Sequence, residues 1–166
     1  MSNIDLGYMS AVEAADRIRK KELSPVDLTE AVLERVEVIQ NKCNAFITVC
    51  SDVARLEAKS AEQAIMSGDN LGPLHGIPFT VKDLVNTAGV KTTFGSYAFK
   101  DNVPNVDSIS VSRLRNAGAI LIGKTTTPEF GHKPMTDAPL FGQTHNPWDM
   151  KRTCGGSSGG AGVAAA

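Results

Sequence analysis

Up to about residue 70 the apolar positions recur at helical spacing. Ser10 is placed to cap a predicted helix from about Ala11 to Lys21, with Glu13 three positions on as its capping-box partner. Ser24-Pro25 starts a second helix with proline at the first helical position, where its missing N–H costs nothing. Leu28, Val32, Val36 and Ile39 then form one stripe at three- and four-residue intervals. Ala45–Val49 is a short β-leaning run. An alanine-rich third helix is predicted from Asp52 to Met66, stopped by Ser67-Gly68-Asp69-Asn70.

Beyond that point the pattern changes. Gly72-Pro73 and Gly76 bracket a turn leading into a β-type run, Ile77–Val81, with Pro78 near the strand start, where a lost donor does least harm. Ser108–Ala117 reads as a helix ended by Gly118. Ala119–Gly123 is a continuous apolar run, the signature of a buried strand. Strand, long connection, helix and strand in that order predict an α/β layer. The expected organisation is a helical region over 1–70 and the first part of an α/β core over 71–166, together one domain that is incomplete at its C-terminus. Residues 88–106 and 131–156 are long loops punctuated by Gly and Pro, and long loops in a compact fold are often functional.

Composition narrows the function. Among 166 residues, 42% are hydrophobic and 21% charged, which is the make-up of a soluble globular protein. Seventeen basic residues against eighteen acidic ones give no electrostatic reason to expect nucleic acid or an anionic membrane as partner. The one basic cluster, Arg17 with Arg19-Lys20-Lys21, is expected to be a solvated helix end. The first ten residues have no basic segment followed by an apolar one, so no secretory signal is expected. Nor does any run reach the ~20 apolar residues of a membrane span. Cys43, Cys50 and Cys154 lack CxxC spacing, and His75, His132 and His145 are scattered. The expectation is reduced thiols in a cytoplasmic protein, with no disulfide, no metal and no cofactor.

Two features could carry chemistry. Lys82 follows an apolar strand in Val81-Lys82-Asp83. On the residues alone it is either a strand-end lysine reaching water, which is the commoner case, or a lysine held against the sheet whose lowered pKa lets it act as a base. The second is Gly155-Gly156-Ser157-Ser158-Gly159-Gly160, followed by a run of small apolar residues that predicts a tightly packed helix. No lysine stands where a phosphate-binding Walker loop needs one. Gly155–Gly159 fits GxSxG, but no strand leads into it as a nucleophile elbow requires. A plain tight turn and a loop whose N–H groups contact an anion or oxyanion both remain open.

Taken together these segments resemble the amidase-signature family. The resemblance is carried by Leu74–Asp83 (LHGIPFTVKD), Ala117–Thr125 (AGAILIGKT), Thr127–Gly131 (TPEFG), Phe141–Trp148 (FGQTHNPW) and Gly155–Gly160 (GGSSGG). It implies a mixed β-sheet core sandwiched by helices, incomplete in this chain, and a triad of lysine, a bridging serine in a cis peptide and a nucleophilic serine. Lys82 matches the lysine and Ser157 the bridging serine, with Gly156–Ser157 as the cis bond. Gly155, Gly156, Ser158, Gly159 and Gly160 then form the supporting, oxyanion-side loop, and Gly131 lies on the substrate side. The family's nucleophile falls in a later GGS motif, so the resemblance implies that it lies beyond residue 166 and that this fragment alone is inactive. Ser158 reads as a supporting hydrogen-bond residue.

Two departures stand beside the serines: Cys154 where the family commonly has proline, and Ala161 where serine is common. The function implied is hydrolysis of a small-molecule carboxamide, with aliphatic, aryl and peptide amides all open and a homodimer admitted. One alternative is the A component of a tRNA-dependent amidotransferase, its glutaminase. Such glutaminases usually carry DEFAMGSSTE where this chain has Pro128–Asp137 (PEFGHKPMTD), which favours the simple amidase. The other alternative is a catalytically inert fragment or degenerate copy.

Overall fold

The computed structural model describes residues 6–166. Residues 1–5, which belong to the expected 1–70 helical region and to the segment read as lacking a secretory signal, lie outside the described residues. The elements in chain order are α1 (Ala11–Arg19), α2 (Pro25–Cys43), β1 (Phe46–Val49), α3 (Ser51–Ser67), β2 (Pro78–Lys82), α4 (Ile109–Asn116), β3 (Ile120–Thr125), β4 (Asp137–Ala138), β5 (Gly142–Gln143) and α5 (Gly159–Ala165). Short 3-10 turns lie at Tyr97–Phe99, within the first long loop, and at Glu129–Gly131, at the start of the second.

The helix ends follow local chemistry. The Ser10 hydroxyl accepts the Glu13 N–H at 3.2 Å, while the Glu13 carboxylate lies 3.9 Å from Arg17. The helix stops at Arg19 rather than Lys21, because Lys21 turns left-handed (φ 59°) and the Glu22 N–H reaches back to the Arg17 carbonyl at 2.8 Å. A lysine thus fills the C-terminal position where glycine is usual. In the basic cluster Arg19, Lys20 and Lys21 are exposed, as expected, while the Arg17 side chain is only 23% exposed; Arg19 donates to the Pro73 carbonyl at 2.9 Å. At α2 the Ser24 hydroxyl accepts the Val26 and Asp27 N–H groups. Gly68 ends α3 in the left-handed conformation (φ 78°), as its position after Ser67 suggests.

β1, β3 and β2 form a three-stranded sheet in that order. β1 and β3 are antiparallel, with Phe46 opposite Thr125, Thr48 opposite Lys124 and Val49 opposite Gly123. The Ile120 N–H donates to the Ile77 carbonyl and the Asp83 N–H to the Thr125 carbonyl, so β2 and β3 run in the same direction. The fold is α/β with a mixed sheet. β4 and β5 form a separate two-stranded pair. Every residue of β3 is buried, yet the strand runs past the apolar segment to include Lys124 and Thr125.

The chain divides into two compact units. The first comprises residues up to Arg35, Cys50–Phe79 and Ser112–Ile122. Its interior is apolar, built from Leu6, Ala14, Ala15, Ile18, Leu23, Leu28, Ala31, Ile65 and Ile77. The second comprises Val36–Val49, Thr80–Val111 and Gly123–Ala166. Its interior is rich in hydroxyls: Thr87, Thr92, Thr93, Thr125, Thr126, Thr127, Thr136 and Thr144 are all buried. Buried hydroxyls are usually hydrogen-bonded, and each of these except that of Thr125 has a partner. Thr126 and Thr144 share a 2.7 Å hydrogen bond, and the Thr144 hydroxyl donates to the Asn44 carbonyl at 2.8 Å.

Candidate active site

Lys82 is the last residue of β2, half-buried in the second unit. Its Nζ donates to the Ser157 hydroxyl at 2.7 Å and to the Ser158 hydroxyl at 3.0 Å. The two serines lie in a loop that leads into α5, and the Gly156–Ser157 peptide bond is cis. Ser157 is half-buried and Ser158 exposed. Burial holds the Lys82 amine below the ordinary lysine value, because leaving water disfavours its charged form. A lysine shifted in this way and hydrogen-bonded to a hydroxyl can accept a proton through it.

Glycines let the loop pack this closely. A Cβ at Gly160 would meet the Thr126 hydroxyl at 2.3 Å and the Ala45 carbonyl oxygen at 2.4 Å, so α5 enters against the end of β3 only with hydrogen at that position. Gly155 is left-handed (φ 78°). Gly131, assigned to the substrate side, is also left-handed (φ 69°), and a Cβ there would lie 3.8 Å from the Ser157 hydroxyl. The expected site residues Lys82, Gly131, Ser157 and Ser158 therefore converge. Cys154, next to the loop, is half-buried, donates to the Thr144 carbonyl at 3.3 Å, and has its thiol pKa raised by burial.

Behind Lys82 lies a polar cluster that sequence reasoning missed. Asp83 is fully buried; its carboxylate accepts the Thr93 N–H at 3.1 Å and the Thr93 hydroxyl at 2.5 Å. Burial raises its pKa, against the opposing pull of those hydrogen bonds and of the Lys124 charge. Lys124 is itself fully buried, and its Nζ donates to the Val85 carbonyl at 2.6 Å, Thr92 at 2.7 Å and Thr87 at 3.0 Å. The segment after Lys82 is thereby wrapped around an internal cation. The signal for it was a lysine directly following an apolar strand run, the same pattern that singled out Lys82. Beside this segment Phe94, Phe99 and Phe130 form an aromatic cluster with ring centroids 5.2–6.5 Å apart. Among the described residues no three His, Cys, Asp or Glu side chains are grouped to hold a metal ion, and no helix is long and apolar enough to cross a membrane.

The chain belongs to the amidase family, whose model, described as Amidase, matches residues 27–166. It is 40% identical over its full length to an acylamidase of Rhodococcus erythropolis, of which it covers 35%. It is 37% identical over 98% of its length to the A component of the glutamyl-tRNA(Gln) amidotransferase of Carboxydothermus hydrogenoformans, covering 34% of that protein. Among solved structures, a bacterial aryl acylamidase of the amidase-signature enzymes matches with a TM-score of 0.88 at 33% identity, over 93% of this chain and 32% of that one. The chain thus spans about a third of the length of these relatives.

Proposed function

We propose that this chain supplies two members of a Ser–Ser–Lys proton relay for hydrolysis of a carboxamide, with the attacking serine supplied from outside residues 1–166. The observation that supports this most directly is the 2.7 Å contact between Lys82 Nζ and the Ser157 hydroxyl, made by an amine whose pKa burial lowers. Neutral Lys82 takes the Ser157 proton while Ser157 takes that of the attacking serine. The serine oxygen bonds to the amide carbon, and N–H groups near it hold the oxyanion. The C–N bond then breaks, and the proton returns through Ser157 to the departing nitrogen. Water next hydrolyses the acyl-enzyme. In this reading the substrate is a small-molecule amide, and no cofactor or metal enters the chemistry.

A second reading, the glutaminase of a tRNA-dependent amidotransferase, is favoured by the likeness to the amidotransferase component of Carboxydothermus hydrogenoformans. It uses the same relay but delivers ammonia to a partner, so co-purification with partner proteins would favour it over the simple amidase.

The experiment is amide hydrolysis with Lys82→Ala and Ser157→Ala. In a form that includes the downstream serine, each substitution should lower kcat/KM by about 10²–10⁴-fold, the usual contribution of a general base. The 166-residue chain alone should show no turnover. Turnover by the chain that survives Lys82→Ala would refute the relay.

A further inference from the structure

The loop carrying Ser157 and Ser158 is tied at both ends to one side chain. The Thr136 hydroxyl donates to the Gly155 carbonyl at 2.9 Å and accepts the Gly159 N–H at 3.0 Å. Thr136 is buried, at 2% exposure, so neither bond competes with bulk water. Position 159 admits this contact only as glycine: a Cβ there would lie 2.2 Å from the Thr136 hydroxyl and 2.6 Å from the Cys154 sulfur. The strand of chain before Thr136 completes the cradle, since a Cβ on Gly156 would meet the Pro134 carbonyl carbon at 2.8 Å.

Thr136 is itself fixed from behind. It directly precedes β4, which pairs with β5, and its carbonyl accepts the Thr144 N–H at 2.9 Å. Thr144 in turn is bonded through its hydroxyl to Thr126, the residue after β3. A rigid path therefore runs from the sheet to the two ends of the serine loop.

We infer that Thr136 is a positioning residue that clips the 155–159 loop shut and sets the Ser157 and Ser158 hydroxyls against Lys82. This rests on the relay proposed above and extends it to a side chain that touches neither Lys82 nor the serine hydroxyls. A hydroxyl is required because the clip must donate at one end of the loop and accept at the other. Serine can do both, and the isosteric valine neither.

The test is trace acetic-anhydride labelling of the intact 166-residue chain across pH, read lysine by lysine by mass spectrometry, together with amide exchange at Gly159. In the wild-type chain Lys82 should label with a midpoint below the ordinary lysine value, and the Gly159 amide should exchange slowly. In Thr136→Val the Lys82 midpoint should move up towards the ordinary lysine value, and in Thr136→Ser it should stay in place. Equal midpoints in the valine and serine variants would overturn the inference. If Thr136→Val does not fold, the wild-type exchange decides: a slow Gly159 amide supports the clip and a fast one overturns it. A wild-type Lys82 that titrates at the ordinary lysine value would refute the relay instead, and the clip is then judged by Gly159 exchange alone.

Discussion

Replacing Lys124 with methionine keeps the side chain's reach and removes its charge and its donated hydrogen bonds. Those bonds satisfy the Val85 carbonyl and the hydroxyls of Thr87 and Thr92. The two hydroxyls cannot easily compensate, because each already directs its proton to a carbonyl: Thr87 to Val85 at 3.1 Å and Thr92 to Val90 at 3.2 Å. Their lone pairs would be left facing a thioether in a buried space. Hydrogen bonds to a charged group are worth about 1.5–3 kcal/mol each, and the three together set an upper bound. Removing one member of a buried charged set typically costs about 3–5 kcal/mol; here Asp83 loses a nearby opposite charge while keeping its hydrogen bonds to Thr93. We expect a loss within that range. In urea, with a slope of about 2 kcal/mol per molar, this is a fall in the unfolding midpoint of about 2 M, measured by far-ultraviolet circular dichroism on the 166-residue chain. A fall below about 0.5 M, equivalent to about 1 kcal/mol at that slope, would mean that the internal cation is not holding the segment after Lys82.

Two further perturbations probe the packing and the charge separately. Gly160→Ala should destabilise the chain by about 1–3 kcal/mol through overpacking against Thr126 and Ala45. Gly162→Ala, two residues on with nothing within 4 Å of the added carbon, should be neutral or mildly stabilising; equal urea midpoints for the two variants would count against the close approach. Because burial raises the Asp83 pKa, the native state holds that proton to higher pH than the unfolded chain, whose carboxylate titrates near about 3.9. Its contribution is therefore full below that value and lost as pH rises through the folded pKa. Asp83→Asn should flatten the urea-midpoint profile as pH rises above the unfolded value of about 3.9, and an unchanged slope would assign the titration elsewhere.

The legible parts of the fold were those set by short-range chemistry. Ser24-Pro25, Gly68 and the stripe from Leu28 to Ile39 mark their helices because capping and amphipathic spacing act within a few residues. Ile120–Ile122 announces a buried strand by its unbroken apolar character. What was not legible depended on tertiary surroundings. Lys21 ends α1 left-handed (φ 59°) without the glycine that signals such an end. β4 and β5, two residues each, are too short for any period to reveal. Lys124 is acceptable inside only because Val85, Thr87 and Thr92 are brought to it from a loop more than thirty residues earlier. The candidate site shares this property: Lys82 and Ser157 are 75 residues apart. Neither has a local pattern pointing to the other, and it was the family blocks that named them together.

The threonine-filled interior of the second unit gives the two parts of the chain different rules for accepting change. The aliphatic interior around Ile18, Leu28 and Ile65 is held by contacts without direction, so swaps that conserve volume should cost little. Around Thr126, Thr136 and Thr144 the hydroxyls are held by directed hydrogen bonds, Thr136 both donating and accepting and Thr126 and Thr144 bonded to each other, and a valine of the same shape makes none of them. Libraries intended to stabilise or diversify this protein can therefore be generous in the first interior. In the second they must keep hydroxyls in place, because there orientation as well as volume has been fixed.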